Sequence, residues 1–281
     1  MKKKVWFVTG TSTGLGKELV KYLVQQKCNV VATARNIATI KEYLPNWQAL
    51  DNLLLLTLDI TDPHQIKNAV QKSLEKWHTI DVLVNNAGYA YFSPVEGAAE
   101  NEIAAMFKVN LWGGVKKMLD AILPIMRQHK SGHILNVSSL GGLRAFAGFG
   151  YYHASKFALE GLSESLSLEV APPLGIQVTL VEPGDFKTDF ASRSAKENPK
   201  PLADYAATAG QNIANLKKLS GNQPGNPAKA AKIIYALTEE SSKAPLHLLL
   251  GQDAYIRALE KLQAMQDSFN ENYALTIQTD D

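Results

Sequence analysis

Tyr152 and Lys156 are the residues whose types and spacing most directly suggest chemistry. They lie in a run from Gly150 that has no proline and no internal glycine before Gly161, so it predicts a helix. Four-residue spacing places the phenol and the ammonium on one helix face, one turn apart. A free tyrosine titrates near pH ~10, and a neighbouring cation favours the phenolate. The pair therefore predicts a tyrosine with a lowered pKa that works as a general acid/base, the alternative being a solvated surface pair.

The first glycine-rich turn lies between a predicted buried strand, Val5 to Val8, and an amphipathic helix from Lys17 to about Gln26. Glycines allow the backbone to approach a phosphate, and the N–H groups and dipole of the helix N-terminus stabilise the anion. The turn therefore predicts a pyrophosphate cradle rather than a turn without a ligand. Its cofactor-binding candidates are Gly10, Ser12, Thr13, Gly14, Leu15 and Gly16.

The end of the second predicted strand indicates which dinucleotide is bound. An NAD site carries a carboxylate there for the ribose 2′-hydroxyl, whereas an NADP site carries an arginine for the 2′-phosphate. Ala34 occupies the place of the acid, Arg35 follows it, and no acidic residue occurs between Glu18 and Glu42. We expect NADP(H), although Arg35 could also be a solvated loop residue.

These motifs resemble those of the short-chain dehydrogenase/reductase family in its compact single-domain form. Thr9 to Gly16 resembles its T-G-x-x-x-G-x-G turn, and the family's other motifs follow in order at Leu58–Asp62, Asn85–Gly88, Ile134–Ser139, Tyr152/Lys156 and Pro183–Thr188. The resemblance spans residues 5 to about 190. It implies that further cofactor contacts come from Asp59, Ile60, Asn86, Ala87, Gly88, Tyr152, Lys156, Pro183, Gly184 and Thr188.

The resemblance also implies a catalytic set of Asn110, Ser139, Tyr152 and Lys156. Ser139 is chosen over Ser138 because it lies thirteen residues before Tyr152, the family's usual interval. Its hydroxyl would hold the substrate oxygen against the phenol. The family's asparagine, here Asn110, is thought to hold a water that passes protons from the lysine. His153 is expected to be a packing residue at the edge of the pocket.

Composition limits the possible partners and location. The 281 residues fit one large domain, residues 1–281, and a net charge of +2 argues against nucleic-acid and membrane partners. Only four apolar residues separate the basic start from Thr9, too few for a signal segment or a membrane span. The single Cys28 excludes an intramolecular disulfide framework. We expect a cytoplasmic protein that uses no metal.

Alternating strands and helices predict an α/β fold of the Rossmann type, a doubly wound parallel sheet of about seven strands with helices on both faces. Strands are expected to end near residues 8, 34, 58, 84, 137 and 181, with a seventh at 246–250, and a long helix spans about 101–126. The polar segment 185–227 predicts a substrate lid, or else a surface insertion. The tail beyond residue 270 is expected to be peripheral.

The expected activity is NADP(H)-dependent interconversion of a secondary alcohol and a ketone or aldehyde. Aromatic stretches predict a pocket for an apolar small molecule, namely Tyr89–Phe92, Leu143–Phe146, Phe149 and Phe186–Phe190. A non-catalytic NADP(H) sensor and a nucleotide-sugar epimerase of the extended type are the alternatives. Surplus apolar residues on helices near 101–126 and 152–170 predict a homodimer or homotetramer.

Overall fold

In the computed structural model of the chain, residues 3–191, 193–239 and 244–280 are described. Nine strands are present in that part of the chain: β1 Val5–Val8, β2 Asn29–Ala34, β3 Leu53–Thr57, β4 Val82–Asn85, β5 Ala90–Phe92, β6 Gly132–Val137, β7 Ile176–Pro183, β8 Ala195–Glu197 and β9 His247–Leu250. The α-helices are α1 Gly14–Gln25, α2 Ala38–Tyr43, α3 Pro63–Trp77, α4 Glu100–Phe107, α5 Val115–His129, α6 Gly150–Leu174, α7 Gln211–Leu219, α8 Pro227–Glu239, α9 Gln252–Glu271 and α10 Tyr273–Thr276.

Seven strands form one parallel sheet in the order β3-β2-β1-β4-β6-β7-β9. The chain adds β2 and β3 on one side of β1 and then crosses to add β4 on the other side. This reversal makes a switch point between β1 and β4, where ligands bind outside the carboxyl ends of the strands in such sheets. The predicted Rossmann-type fold is confirmed.

Both faces of the sheet are covered by helices, which explains why β1 is buried along its whole length. One apolar core includes Phe7, Ile122 and Leu159 and packs α3, α5 and α6 against the sheet. The other includes Trp6, Leu19 and Ile234 and packs α1 and α8 against the opposite face. A strand that contacts helices on both sides needs apolar side chains at every position.

The helix predicted over about 101–126 is interrupted. Residues of α4 continue into a π-helical turn, Lys108–Trp112, and α5 begins only at Val115. The carbonyl oxygen of Lys108 accepts hydrogen bonds from the N–H groups of both Gly113, at 2.6 Å, and Gly114, at 3.1 Å. The wider turn shifts the register of the helix beside the cavity, and such turns are frequent at functional sites.

The segment 185–227 is partly ordered by secondary structure. Its strand β8 pairs in parallel with β5 in a separate two-stranded sheet, and α7 follows. Ser192 lies outside the described residues. Asn226 caps α8, since its Oδ1 accepts hydrogen bonds from the N–H groups of Ala228 and Lys229, and Pro227 begins the helix as expected. Movement of the segment as a lid stays a prediction.

Of the helices in the described ranges, none combines the length and the apolar character that crossing a membrane requires. The cytoplasmic location inferred from the sequence stays a prediction.

Candidate active site

One cavity of about 1510 Å³ opens at the carboxyl ends of the sheet strands. Every residue predicted to bind cofactor or to catalyse lines it, apart from Gly16 and Asn110. The lining residues from that prediction are Gly10, Ser12, Thr13, Gly14, Leu15, Arg35, Asp59, Ile60, Asn86, Ala87, Gly88, Ser139, Tyr152, Lys156, Pro183, Gly184 and Thr188. The fold thus brings together residues that are up to 178 positions apart in the sequence.

The glycine turn at the start of α1 needs its glycines for two different reasons. Gly10 and Gly14 have φ angles of +68° and +57°, which side chains rarely adopt. Gly16 is required by space, because a Cβ there would lie 2.5 Å from Nδ2 of Asn86. That amide nitrogen donates hydrogen bonds to the carbonyl oxygens of Thr9 and Gly10, both at 2.9 Å. Gly16 therefore serves the turn by packing.

The N-terminus of α1 has the features of an anion site. Thr13 is its N-cap residue but makes no capping hydrogen bond through its side chain, and the first turn holds no acidic residue. The N–H groups of this first turn are left without the side-chain partner that most helix N-termini have. Gly14 and Leu15 line the cavity at this point. A diphosphate would satisfy these donors and the helix dipole.

Arg35 follows β2 and lines the same cavity. Its side chain is exposed, and within the described ranges no carboxylate forms an ion pair with it. Asp59 follows the neighbouring strand β3, and its Oδ1 accepts hydrogen bonds from the N–H and hydroxyl groups of Thr61, both at 2.8 Å. A fixed carboxylate and an unpaired guanidinium suit an adenine amine and a phosphate, respectively.

Ser139, Tyr152 and Lys156 lie together in the interior of the cavity. The Ser139 hydroxyl hydrogen-bonds to the Tyr152 phenol. Oγ of Ser139 also accepts the N–H of Gly141 at 3.0 Å, so the one proton of this hydroxyl is the donor that it offers to an oxygen in the cavity. Nζ of Lys156 donates to the carbonyl oxygen of Val137 at 2.8 Å and lies 5.9 Å from the centre of the phenol ring.

Burial dominates the protonation of both ionisable groups. Burial raises the pKa of Tyr152 to about 12, while the hydrogen bond with Ser139 acts in the opposite direction. Burial also lowers the pKa of Lys156 to about 8, with the charge of Glu160 opposing it. The prediction of a lowered phenol pKa was wrong for the protein alone, because removal from water outweighs the nearby hydroxyl and cation.

Asn110 stands behind the cavity, in the π-helical turn, with only 2% of its surface exposed. Its Nδ2 donates to Oγ of Ser155 at 3.1 Å, and that hydroxyl donates to the carbonyl oxygen of Tyr152 at 2.7 Å. Asn110 is therefore connected to the backbone of Tyr152 through a single intervening side chain, that of Ser155.

The turn after β7 forms the wall of the cavity beside the glycine turn. Thr188 lies so close to Gly14 that a Cβ on the glycine would be 3.4 Å from the threonine side chain. Gly184 packs against the Asp253 carboxylate, which a Cβ on the glycine would approach to 2.3 Å. Asp253 also accepts the N–H of Asp185 at 2.8 Å, so the start of α9 fixes this turn.

The substrate side of the cavity is partly aromatic. Its rings are those of Tyr89, Phe146, Phe149, Phe186 and Phe190. Tyr91 and Phe92 do not line it, contrary to prediction, because β5 turns them into a buried cluster beneath the cavity, where each is 1% exposed. Leu143 is also absent from the lining and packs against Ala254 and Ala258 of α9.

Sequence reasoning missed the contribution of α9. Arg144 forms an ion pair with Glu260, and its Nη1 donates to the carbonyl oxygen of Arg257 at 3.2 Å. Arg257 lies 3.6 Å from the Asp185 carboxylate, and both guanidinium groups lie over the Phe146 ring, at 5.6 and 5.7 Å from its centre. The rim of the aromatic pocket is therefore charged. The amphipathic pattern of α9 was available, but nothing local connected it with the loop at Arg144.

Two neighbours of the candidate catalytic residues, Ser138 and His153, have structural contacts. Ser138 donates a hydrogen bond to Glu160 inside the protein. His153 is buried, with Nδ1 2.9 Å from the carbonyl oxygen of Gly141 and Nε2 accepting the N–H of Phe146 at 2.9 Å. These bonds fix the neutral tautomer with its proton on Nδ1, and burial lowers the pKa of the ring. His153 thus joins the loop after β6 to α6.

Comparison with known proteins places this arrangement in a family. A model described as short chain dehydrogenase matches residues 4–199. The chain is 38% identical over 271 residues to oxidoreductase BOA17 of Botryotinia fuckeliana (strain B05.10), covering 95% of this chain and 97% of that one. A crystal structure of a short-chain dehydrogenase from Streptomyces avermitilis is 35% identical with a TM-score of 0.90, covering 100% of both chains. A serine dehydrogenase complexed with NADP+ is 25% identical with a TM-score of 0.73, covering 88% of this chain and 94% of that one.

Proposed function

Because the chain belongs to the short-chain dehydrogenase/reductase family, we propose that it is an NADP(H)-dependent oxidoreductase that interconverts an alcohol with its ketone or aldehyde. The observation that carries the proposal is the meeting of Ser139, Tyr152 and Lys156 in the same cavity as the glycine turn of α1. A cavity that joins an anion cradle to a buried acid/base suits hydride transfer, for which the bound dinucleotide supplies or accepts the hydride.

The protonation states favour the direction of reduction. A phenol whose pKa is raised to about 12 keeps its proton at neutral pH and is ready to donate it to the oxygen of a carbonyl substrate. Ser139 would donate its hydroxyl proton to that oxygen in a hydrogen bond. Lys156, cationic below its pKa of about 8, stabilises the phenolate that is left behind. We infer that Asn110 supports this group through Ser155.

The residues present fit a dinucleotide. The uncapped N-terminus of α1 would bind the diphosphate, and Asn86, Ala87 and Gly88 would border the nicotinamide ribose. Arg35, with Ser12 or Thr13, would bind a 2′-phosphate, and Asp59 with Ile60 would contact the adenine. The NADP+ bound by the serine dehydrogenase supports this choice of cofactor. Pro183, Gly184 and Thr188 would contact the carboxamide.

The substrate is expected to be a small molecule with an apolar body beside its carbonyl. Phe149 and Phe190 face the same cavity as the phenol, and the Phe190 ring lies 5.3 Å from the Tyr152 ring. Asn212 and Leu216 of α7 close the cavity on the outer side. We propose that the 185–227 segment acts as the lid of a single domain and that the enzyme is a homodimer or homotetramer.

A screen of NADPH oxidation with ketones, aldehydes and quinones, and of NADP+ reduction with alcohols, tests the proposal. Turnover of at least one apolar carbonyl compound, lost in Tyr152→Phe, is the expected result. Tight NADPH binding without turnover of any member of the panel would instead support a non-catalytic sensor. Calorimetry with NADPH on the same samples separates these two outcomes.

A further inference from the structure

Two buried carboxyl groups lie behind the site, where the proposed mechanism does not use them. Glu160 follows Lys156 by one turn of α6, and Glu182 lies on β7; they are 4% and 0% exposed. One oxygen of each carboxyl group has a hydrogen-bond partner: Ser138 donates to Oε1 of Glu160, and Nδ1 of His247 lies 2.7 Å from Oε1 of Glu182. The other oxygen, Oε2 of each, is buried without a hydrogen-bond partner among the described residues.

Two unpartnered carboxylate oxygens in the interior would be costly if both groups were charged. One carboxylate oxygen of Glu160, one of Glu182 and one ring nitrogen of His247 all lie within 4.8 Å of one another, so the two carboxyl groups are close neighbours. Burial raises the pKa of both groups, and the charge of Glu182 raises that of Glu160 further. Two carboxyl groups so close together cannot both ionise readily, and a proton shared by the pair removes one of the two buried charges.

We propose that Glu160 and Glu182 share one proton and that the single negative charge left on the pair is the counter-ion that keeps Lys156 in its ammonium form. Glu160 is thus a positioning residue that acts through the lysine. Two other titratable groups face the pair. His247 on β9 has its Nδ1 3.8 Å from Oε2 of Glu160, too far for a hydrogen bond, and its Nε2 3.8 Å from Oε1 of Glu164, which lies one turn further along α6. His247 is 42% exposed in its side chain and leads from the pair to solvent.

The negative charge of the carboxyl pair connects the pair to the protonation of Lys156. Burial of Lys156 favours its neutral amine. The charge of Glu160 acts in the opposite direction and favours the ammonium form. The consequence for turnover rests on the proposed function, whereas the shared proton itself does not. Two measurements therefore test the two parts of the proposal separately, and a third tests whether a metal ion binds there instead.

The first measurement needs no activity. In the unfolded chain the carboxyls ionise near pH 4.5, whereas the folded pair holds its proton to higher pH. Stability from this source is present below pH 4.5 and is lost as the pH rises toward the folded pKa values. Relative to Glu160→Gln/Glu182→Gln, the wild type should become less stable by about tenfold in its unfolding constant per pH unit between pH 5 and 7. A pH-independent difference in urea unfolding between the two would overturn the shared proton.

The second measurement is the pH profile of turnover. Glu182→Gln leaves Glu160 ionised beside the lysine, so its alkaline limb should stay in place or move upward. The double variant has no counter-ion, so its alkaline limb should move down by about one pH unit, the size of effect expected from a neighbouring charge. Glu169→Gln removes an exposed carboxylate further along α6 and is the matched control, with the limb unmoved. Equal shifts in Glu182→Gln and the double variant would overturn the counter-ion role.

Metal binding is the remaining competitor for these atoms. Protein freed of metal by chelation is titrated with Zn²⁺ and Mn²⁺ in a calorimeter, with Glu182→Gln as the comparison. We expect either no binding or binding that is the same in the variant. Both results mean that no metal ion is held by this pair of carboxyl groups. One equivalent bound tightly by the wild type and lost in Glu182→Gln would overturn the proposal, because the ion would then occupy the place of the proton.

Discussion

Asn110 and Tyr89 are joined by two hydrogen bonds: Oδ1 of Asn110 accepts the N–H of Tyr89 at 3.1 Å, and its Nδ2 donates to the carbonyl oxygen of Tyr89 at 2.9 Å. The asparagine side chain pairs with the backbone here as a neighbouring strand would. With the second amide proton bound to Ser155, no donor of the side chain is left for the water that the family resemblance implies. Such a water would have to donate its own proton to an oxygen of this residue.

The first prediction concerns the energetic value of this connection. Asn110→Ala leaves the N–H and carbonyl groups of Tyr89 unpaired in a largely buried place, which should lower the free energy of unfolding by about 2–3 kcal/mol. Urea unfolding followed by fluorescence measures the loss. Asn101→Ala, at an exposed position on α4, is the matched control and should change stability by less than about 0.5 kcal/mol. Equal effects of the two substitutions would contradict a supporting role for Asn110.

The second prediction concerns the phenol. Tyr152→Phe removes the hydroxyl group that is proposed to donate the proton, so turnover of a carbonyl substrate should fall by roughly 10²- to 10⁴-fold. NADPH affinity measured by calorimetry should change little, because the ring remains. Tyr151→Phe changes the adjacent tyrosine, whose hydroxyl donates to the carbonyl oxygen of Val95 at 3.4 Å, and should keep its activity. Full activity of Tyr152→Phe across the panel would rule out the mechanism.

The third prediction concerns the choice of cofactor. A charge-assisted hydrogen bond to the 2′-phosphate contributes about 1.5–3 kcal/mol, so Arg35→Ala should weaken NADPH binding about ten- to a hundredfold and leave NADH binding unchanged. Ala34→Asp combined with Arg35→Ala should reverse the preference, since the new carboxylate repels the phosphate and binds a ribose. Arg127→Ala, exposed on α5, is the control. Wild-type protein that binds NADH as tightly as NADPH would show that the Arg35 assignment is wrong.

The parts of the molecule that could be predicted from the sequence are those with short-range signals. The apolar run of β1, the turn from Gly10 to Gly16, and the cap and proline before α8 each depend on neighbours within a few residues. Strand ends near residues 8, 34, 58, 84 and 137 were therefore expected to within about one residue. The spacing of Tyr152 and Lys156 placed both on one face of α6 for the same reason.

Long-range effects were not accessible from the sequence. The pKa of Tyr152 depends on how completely the cavity excludes water, which no local pattern encodes. Tyr91 looks like a pocket residue by composition, yet the pairing of β5 with β8 directs it into the core. Arg257 reaches the pocket because α9 packs on the loop after β6, a contact between residues more than a hundred positions apart.

The fourth prediction concerns assembly. Leu168 on α6 is 82% exposed and Trp112 beside α5 is 62% exposed, and both belong to the two helical segments whose apolar surplus predicts a subunit contact. We expect the wild type to be a dimer or tetramer by light scattering at micromolar concentration. Leu168→Glu would bury a charge in the contact and should shift the mass toward the monomer. Glu169→Gln, the neighbouring position, should leave the mass unchanged; a monomeric wild type would contradict the prediction.

The fifth prediction concerns acid stability and depends on His133 in β6. Its Nε2 lies 3.0 Å from Oγ1 of Thr179, and that hydroxyl donates its only proton to the carbonyl oxygen of Pro245 at 2.7 Å. The hydroxyl therefore accepts from Nε2–H. Burial lowers the pKa of His133 to about 4. Between pH 6.5 and 4 this histidine is therefore protonated in the unfolded chain but neutral in the folded protein.

Stability from this histidine is complete above pH 6.5 and is lost as the pH falls toward the folded value. Relative to His133→Gln, whose amide can still donate to Thr179, the wild type should lose about 2 kcal/mol between pH 6.5 and 5. Urea unfolding at several pH values measures this difference, and subtracting the variant cancels the slopes of other groups, including the Glu160/Glu182 pair. His129→Gln, exposed at the end of α5, is the control and should follow the wild type. Parallel pH profiles of the wild type and His133→Gln would mean that the imidazole accepts a proton inside the folded sheet.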